Sequence, residues 1–125
     1  MKVVDTTVAV DHLRGLARAT RLLTDLVAAG EILVASEITR FELLAGVRPR
    51  ELDALEAFFS ALAWVPVDEE ISRTAGALAR RLRRSHRGID DADHLIAATA
   101  LVLEADLLTT NVRRFPMIEG LRPPY

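Results

Sequence analysis

The stretch DDADHLIAATALVLEADLLTTN, residues 90–111, predicts a helix that is followed at once by a short strand. Asp90 or Asp91 can cap the helix, which we expect to run from Ala92 to about Glu104. Leu107–Thr109 is apolar and short, as a buried strand is. Short apolar strands that alternate with helices are typical of an α/β fold with a short, mainly parallel sheet.

The same alternation extends over the rest of the chain. Strands are predicted at Lys2–Val4 and Ile32–Val34, and an extended piece at 64–67. Two helices are predicted at Thr7–Leu13 and Leu16–Ala29. Three more are predicted from the cap Ser36 to about Ala45, from Pro49 onward, and from the cap Asp68 to a stop at Gly88. The tail Leu121–Tyr125 is at most an edge strand, because proline cannot donate to a ladder. Ligands of such sheets bind at the carboxyl ends of the strands, where Asp5 and Asn111 are predicted to lie.

Size and composition narrow the class of protein. The chain has 125 residues, half of them hydrophobic, so we expect a single domain over 1–125 with a substantial core. It contains no cysteine, which excludes disulfides and thiolate metal sites. No apolar run approaches the roughly 20 residues that span a bilayer, and an acid interrupts any signal peptide at position 5. We therefore expect a cytoplasmic protein that makes no use of a membrane.

Asp93 shares one face of its predicted helix with small apolar residues. They follow it at three, four and seven positions: Ile96, Ala97 and Ala100. This face should pack closely on the sheet and turn the carboxylate inward. An acid in a first helical turn can simply complement the helix dipole, but Asp90 and Asp91 are available for that. We therefore predict a functional role for Asp93.

Glu42 and Asp5 each allow two interpretations. Glu42 follows Ile38 on an apolar helix face, so it is either exposed at the margin, the commoner outcome, or buried with a partner. Asp5 either caps the next helix or serves a site at the end of the first strand. Together with Asp93 they indicate a site, because neighbouring carboxylates repel and a cation relieves the repulsion. Oxygen ligands alone favour Mg²⁺ or Mn²⁺, and such ions favour phosphate-bearing substrates.

Four segments make the chain resemble the PIN-domain ribonucleases, and among them the VapC toxins of toxin–antitoxin pairs. They are VVDTTVAVDHLRG at the start, ASEITRFELLAGV in the first half, DDADHLIAATALVLEADLLTTN in the second half and NVRRFP near the end. They span nearly the whole chain in the expected order. The combination is much more specific than any one segment.

The resemblance implies a single PIN domain, a Rossmann-like three-layer α/β/α fold with an acidic pocket. It implies an endoribonuclease that hydrolyses RNA phosphodiester bonds with a water activated by Mg²⁺ or Mn²⁺. Asp5, Glu42 and Asp93 match the family's catalytic and metal-binding acids, and Thr7 matches a short hydroxyl residue that orients water or supports the first acid. It also implies a homodimer and a VapB-type antitoxin as partner. Transfer, ribosomal and messenger RNA are all open as substrates.

Two positions depart from the family pattern. Asn111 stands where many PIN domains have a fourth acid; it can hydrogen-bond a water but carries no charge, which leaves one or two metal ions open. Arg114 stands where relatives commonly have an aspartate. Asp90 or Asp91 could compensate. The main alternative is therefore a PIN-like domain that has lost catalysis and acts by binding a protein or RNA partner.

Two other functions fit the residues less well. A haloacid-dehalogenase-type phosphatase needs a second acid two residues after the first, and this chain has Thr7 there. A receiver domain needs a lysine in the site. The only lysine, Lys2, lies too near the start of the first strand to reach a site at the strand's carboxyl end. The dense basic run at residues 80–87 is either a solvated helix end or a set of phosphate contacts that guide RNA to the acids.

Overall fold

The sheet is covered on both faces, as two successive residues of its first strand show. Val3 and Val4 are both fully buried, and they belong to two separate hydrophobic clusters. Successive residues of a strand point to opposite faces, so each face carries its own core. The structure, a computed structural model that describes residues 1–125, is therefore a three-layer α/β/α sandwich.

Four strands and six α-helices alternate along the chain. The strands are β1 (Lys2–Val4), β2 (Leu33–Ser36), β3 (Ala63–Val65) and β4 (Asp106–Leu108), and the helices are α1 (Thr6–Leu13), α2 (Ala17–Ala28), α3 (Glu37–Gly46), α4 (Leu52–Phe59), α5 (Glu69–Leu82) and α6 (Asp91–Leu103). Two short 3₁₀ turns lie at Pro49–Glu51 and Val112–Arg114. No helix combines the length and apolar character that crossing a bilayer requires.

All strand pairs are parallel, in the order β3-β2-β1-β4. The chain moves outward from β1 to β3 and then crosses back to place β4 on the other side of β1. Residues of α1 to α4 pack on one face of the sheet, and residues of α5 and α6 pack on the other. This change of direction opens a crevice beyond the carboxyl ends of β1 and β4, which is where such sheets bind their ligands.

Three predicted helix caps are present. The Ser36 side chain accepts a hydrogen bond from the Ile38 backbone N–H at 3.0 Å, and the Asp68 side chain accepts one from Ile71 at 2.9 Å. Asp90, not Asp91, caps α6. Gly30 has a φ of 87°, the left-handed conformation that ends α2. The predicted α5 stripe of Ile71, Ala75, Leu78 and Leu82 is buried.

Some predicted boundaries are wrong. α5 ends at Leu82, well before Gly88, because the next positions on its buried stripe are Ser85 and His86, which are exposed and add no apolar packing. β2 starts at Leu33 because Leu33 pairs with Lys2, whereas Ile32 is 58% exposed. Pro49 begins a 3₁₀ turn ahead of α4, and residues 121–125 form no strand.

The Asp68 cap offers a direct test of the helix that covers the second face. We expect Asp68→Ala to lower the free energy of unfolding by about 1 kcal/mol, because it leaves the Ile71 N–H without its acceptor. Asp68→Asn retains an acceptor oxygen and serves as the matched control. Urea unfolding of the three proteins measures the effect, and equal stability of the alanine and asparagine variants would contradict this role.

Candidate active site

Asp5 lies directly after β1, at the crevice, and its side chain is almost completely buried. It is 4% exposed. Its Oδ2 accepts hydrogen bonds from the Thr109 hydroxyl at 2.7 Å and from the Thr7 hydroxyl at 3.1 Å. It occupies the N-cap position of α1, but its side chain makes no capping bond, so the capping interpretation of Asp5 is wrong.

Burial also governs the electrostatics of Asp5. Removal from water raises the pKa of Asp5 above its ordinary value, although the hydroxyl hydrogen bonds of Thr109 and Thr7 act in the opposite direction. No basic side chain pairs with it. The buried Asp5 carboxylate therefore lowers the stability of the fold when it is ionised. Such perturbed ionisable groups are common at functional sites.

Thr109 is a contact that the sequence interpretation missed. It follows β4 directly and is fully buried, with its hydroxyl on Asp5. The predicted strand Leu107–Thr109 wrongly included Thr109; β4 ends at Leu108, which makes Thr109 the polar residue directly past the strand. Asn111 itself contacts the site through its backbone, whose N–H donates to Thr109 Oγ1 at 3.0 Å. A role for the Asn111 side chain stays a prediction.

Glu42 is half-buried on α3 and is linked to Asp5 through a single intervening residue. The Thr6 hydroxyl donates to Glu42 Oε1 at 2.7 Å, and Thr6 is the neighbour of Asp5 in the chain. Thr6 was also not predicted. Glu42 therefore lies between its two interpretations: it has a partner in Thr6, but its side chain is only half-buried.

Asp93 lies in the first turn of α6. This helix ends where β4 begins, so its first turn lies at the carboxyl edge of the sheet. The Asp93 side chain accepts a hydrogen bond from the Asp90 N–H at 3.2 Å, and Asp90 accepts one from the Asp93 N–H at 3.0 Å. This reciprocal capping box gives Asp93 a structural role. The prediction that the neighbouring acids leave Asp93 without one is wrong.

Arg114 binds both acids at this helix start. Its Nη1 donates to Asp93 Oδ2 at 3.2 Å and to Asp90 Oδ2 at 3.1 Å. Burial raises the pKa of Asp93 to about 6, and the negative charge of Asp90 adds to this, while Arg114 only partly offsets it. The residue that departs from the family pattern is thus a counter-charge for Asp93. Asp91 is exposed.

These carboxylates fit a hard divalent cation by their chemistry. Each of the three predicted ligands accepts its side-chain hydrogen bonds on one oxygen only: Asp5 on Oδ2, Glu42 on Oε1 and Asp93 on Oδ2. The second oxygen of Glu42 and of Asp93 is left for another ligand. No three acidic or histidine side chains come close enough together to hold one ion between them. One or two carboxylates plus waters suffice for Mg²⁺, so the ligand assignment stays a prediction.

Glu42 also lines a cleft of about 620 Å³ between α1, α3 and the start of α4. Arg14, Arg48 and Arg50 lie around the same cleft. A second cleft, of about 470 Å³, lies beside the amino end of β4 and contains none of the predicted site residues. Of the three predicted acids, Glu42 alone lines one of these two clefts.

We expect Thr109→Val to lower the free energy of unfolding by about 1–3 kcal/mol, because a buried carboxylate loses its shortest hydrogen bond. Thr110→Val is the matched control, since Thr110 contacts the site only through its backbone N–H, which donates to Thr7. Urea unfolding compares the two variants. Equal losses in both would contradict a special role of the Thr109 hydroxyl.

Comparison with known proteins identifies the family of the chain. The family model of the PIN domain matches residues 2–120. Ribonuclease VapC19 of Mycobacterium tuberculosis is 66% identical over 125 residues, which is 100% of both chains. Ribonuclease VapC10 of the same organism is 39% identical over 125 residues, covering 100% of this chain and 93% of that protein.

The fold is also similar to that of a solved structure. VapBC2 from Rickettsia felis, bound to a DNA fragment from their promoter, superposes with a TM-score of 0.82 at 25% identity, over 96% of this chain and 94% of that chain. The family model and the two relatives span almost the whole sequence, which confirms the resemblance drawn from its motifs. This chain therefore belongs to the PIN-domain family and is a VapC-type member of it.

Proposed function

We propose that this chain is an endoribonuclease of the VapC type, which hydrolyses RNA phosphodiester bonds with a divalent cation bound at the crevice. Of Asp5, Glu42 and Asp93, one or two carboxylates bind the ion directly and the others bind it through water. One observation carries the proposal. Asp5 is a buried carboxylate without a basic partner, placed at the crevice of the sheet with one oxygen held by two hydroxyls. Such a group is costly to the fold and is explained by a cation that it binds.

The relatives support the reaction class. The similar proteins from Mycobacterium tuberculosis are named ribonucleases, and PIN-domain ribonucleases in general depend on divalent metal ions. The choice of Mg²⁺ or Mn²⁺ is part of our proposal and rests on the oxygen-only donor set. When bound, such a cation neutralises phosphate charge and makes a nearby water more acidic.

Neighbouring residues hold the three acids in fixed orientations. Thr109 and Thr7 hold Oδ2 of Asp5 and thereby orient its other oxygen. Thr6 holds Glu42 in the same way. The capping box fixes Asp93 on a rigid helix. A site built on such supported side chains needs little reorganisation during the reaction.

A second candidate function has a specific observation in its favour. Arg114 binds Asp93 and supplies a positive charge beside it, while Asn111 carries no charge. A domain with its third acid neutralised in this way could bind a protein or RNA without cleaving it. Cleavage that depends on both metal and Asp93 excludes this alternative.

The partners follow from the VapBC assembly found in Rickettsia felis. We propose a VapB-type antitoxin as the partner of this chain, and a homodimer as its own state. The proposal also places the protein in the cytoplasm, where cellular RNA is available. Size-exclusion chromatography with light scattering, with and without the antitoxin, measures both assemblies.

The decisive experiment is cleavage of total cellular RNA by the purified protein with Mg²⁺, with Mn²⁺ and with EDTA. We expect discrete metal-dependent fragments from the wild type and a loss of more than about a hundredfold in Asp5→Asn, Glu42→Gln and Asp93→Asn, because each removes a ligand charge. Asp25→Asn, a neutralised acid on the exposed side of α2, is the matched control. Undiminished cleavage by folded Asp93→Asn would contradict its assignment.

Thermal unfolding tests the metal site without relying on activity. Because burial raises the pKa of Asp5, its ionised form costs stability above the ordinary titration range of aspartate. We therefore expect Asp5→Asn to raise Tm at pH 7.5 in EDTA and to lose this advantage as the pH falls and Asp5 becomes protonated. Added Mn²⁺ should raise Tm of the wild type and much less that of the variant. Equal stabilisation of both by Mn²⁺ would place the ion elsewhere.

A further inference from the structure

The densest charge of the molecule lies outside the site described so far. Residues 80–87, here called the arginine segment, contain five of the 16 basic residues and no acidic residue, in a chain of net charge −2. The five are Arg80, Arg81, Arg83, Arg84 and Arg87, and all are exposed. None of them takes part in any of the six ion pairs of the structure.

The helix dipole accounts for only part of this charge. Arg80 and Arg81 lie in the last turn of α5, where cations are favourable. Arg83 is the C-cap residue of α5, whereas Arg84 and Arg87 lie beyond it, where the effect of the dipole falls off. The dipole therefore does not explain the arginines at the far end of the segment.

The arginine segment leads directly into the candidate active site. Gly88, with a φ of 91°, turns the chain toward Asp90, which bonds Asp93 and Arg114. The three residues from Arg87 to Asp90 span at most about 11 Å. The end of the segment at Arg87 therefore lies within about 11 Å of Asp90, at the start of α6.

We propose that the arginine segment binds the phosphodiester groups of the RNA strand next to the bond that is cleaved. The inference rests on the proposed ribonuclease function, and it adds a surface on which the RNA substrate is held. Guanidinium groups bind phosphate oxygens in a bidentate manner. Contacts of this kind position a strand without selecting its sequence, and they release counterions, so their contribution depends on salt.

The composition of the segment favours RNA over a protein partner. Protein interfaces are anchored by buried apolar or aromatic side chains at their centre. None of the exposed large hydrophobic residues lies in the arginine segment, and its one apolar residue, Leu82, is turned into the core. A cluster of arginines without an apolar anchor is suited to bind a polyanion such as RNA.

The test is binding of a fluorescein-labelled, mixed-sequence, single-stranded 20-nucleotide RNA by anisotropy, in EDTA to prevent cleavage. The variant is the triple substitution Arg83→Gln, Arg84→Gln and Arg87→Gln in the full chain. With a slope of about 0.7 for each phosphate contact, we expect the dependence of log K on log salt to weaken by about 2. At 0.1 M salt the affinity should fall roughly ten- to a hundredfold, and the two proteins should converge near 1 M.

A control with the same change of charge uses arginines away from the segment: Arg21→Gln, Arg73→Gln and Arg122→Gln. We expect its salt slope to match that of the wild type. An equal slope in wild type and segment variant, or no RNA binding by the wild type, overturns the inference. Unchanged RNA affinity with weakened binding of the cognate antitoxin also overturns it and assigns the segment to a protein.

Cleavage of total RNA by the same proteins with Mn²⁺ separates this inference from the proposed function. Cleavage by the wild type with an unchanged salt slope in the variant overturns only the role of the arginine segment. A reduced slope without any cleavage by the wild type supports the segment as an RNA-binding surface and counts against the ribonuclease.

Discussion

The hydrogen bond from Thr109 to Asp5 joins the ends of β1 and β4, the two strands between which the chain reverses its direction across the sheet. Asp5 is buried there because β1 is central and covered on both faces. A buried carboxylate must be satisfied by hydrogen bonds or by a cation. The hydroxyls of Thr109 and Thr7 donate to one oxygen of Asp5. The next residue in the chain, Thr6, donates to Glu42 and so continues the polar lining of the crevice.

The two cores hold this arrangement in place. On one face, α1 to α4 pack against Val4 and its neighbours, and on the other, α5 and α6 pack against Val3. Small residues of α6, among them Ala97 and Ala98, are fully buried and bring that helix close to the sheet. The close approach places the first turn of α6, with Asp93, at the same edge as Asp5.

Asp93 combines an observed structural role with the catalytic role that we propose for it. It completes the capping box of α6, and it binds Arg114. A group with such a structural role is not recognisable as functional from its burial or its raised pKa alone, because ion pairs and caps perturb pKa values too. The proposed catalytic role of Asp93 therefore rests on the resemblance of its segment to the PIN-domain family.

The sequence by itself determined the alternation of strands and helices, the caps Ser36 and Asp68 and the family, because periodicity, capping residues and motifs are local features. It also predicts the three acids of the site. Tertiary structure alone decided which acids have partners. Thr109 contacts Asp5 across 104 positions of the chain, and Arg114 contacts Asp93 across 21, so neither pairing has a local signal. The end of α5 depends likewise on where packing stops, and the core, not helix propensity, sets that boundary.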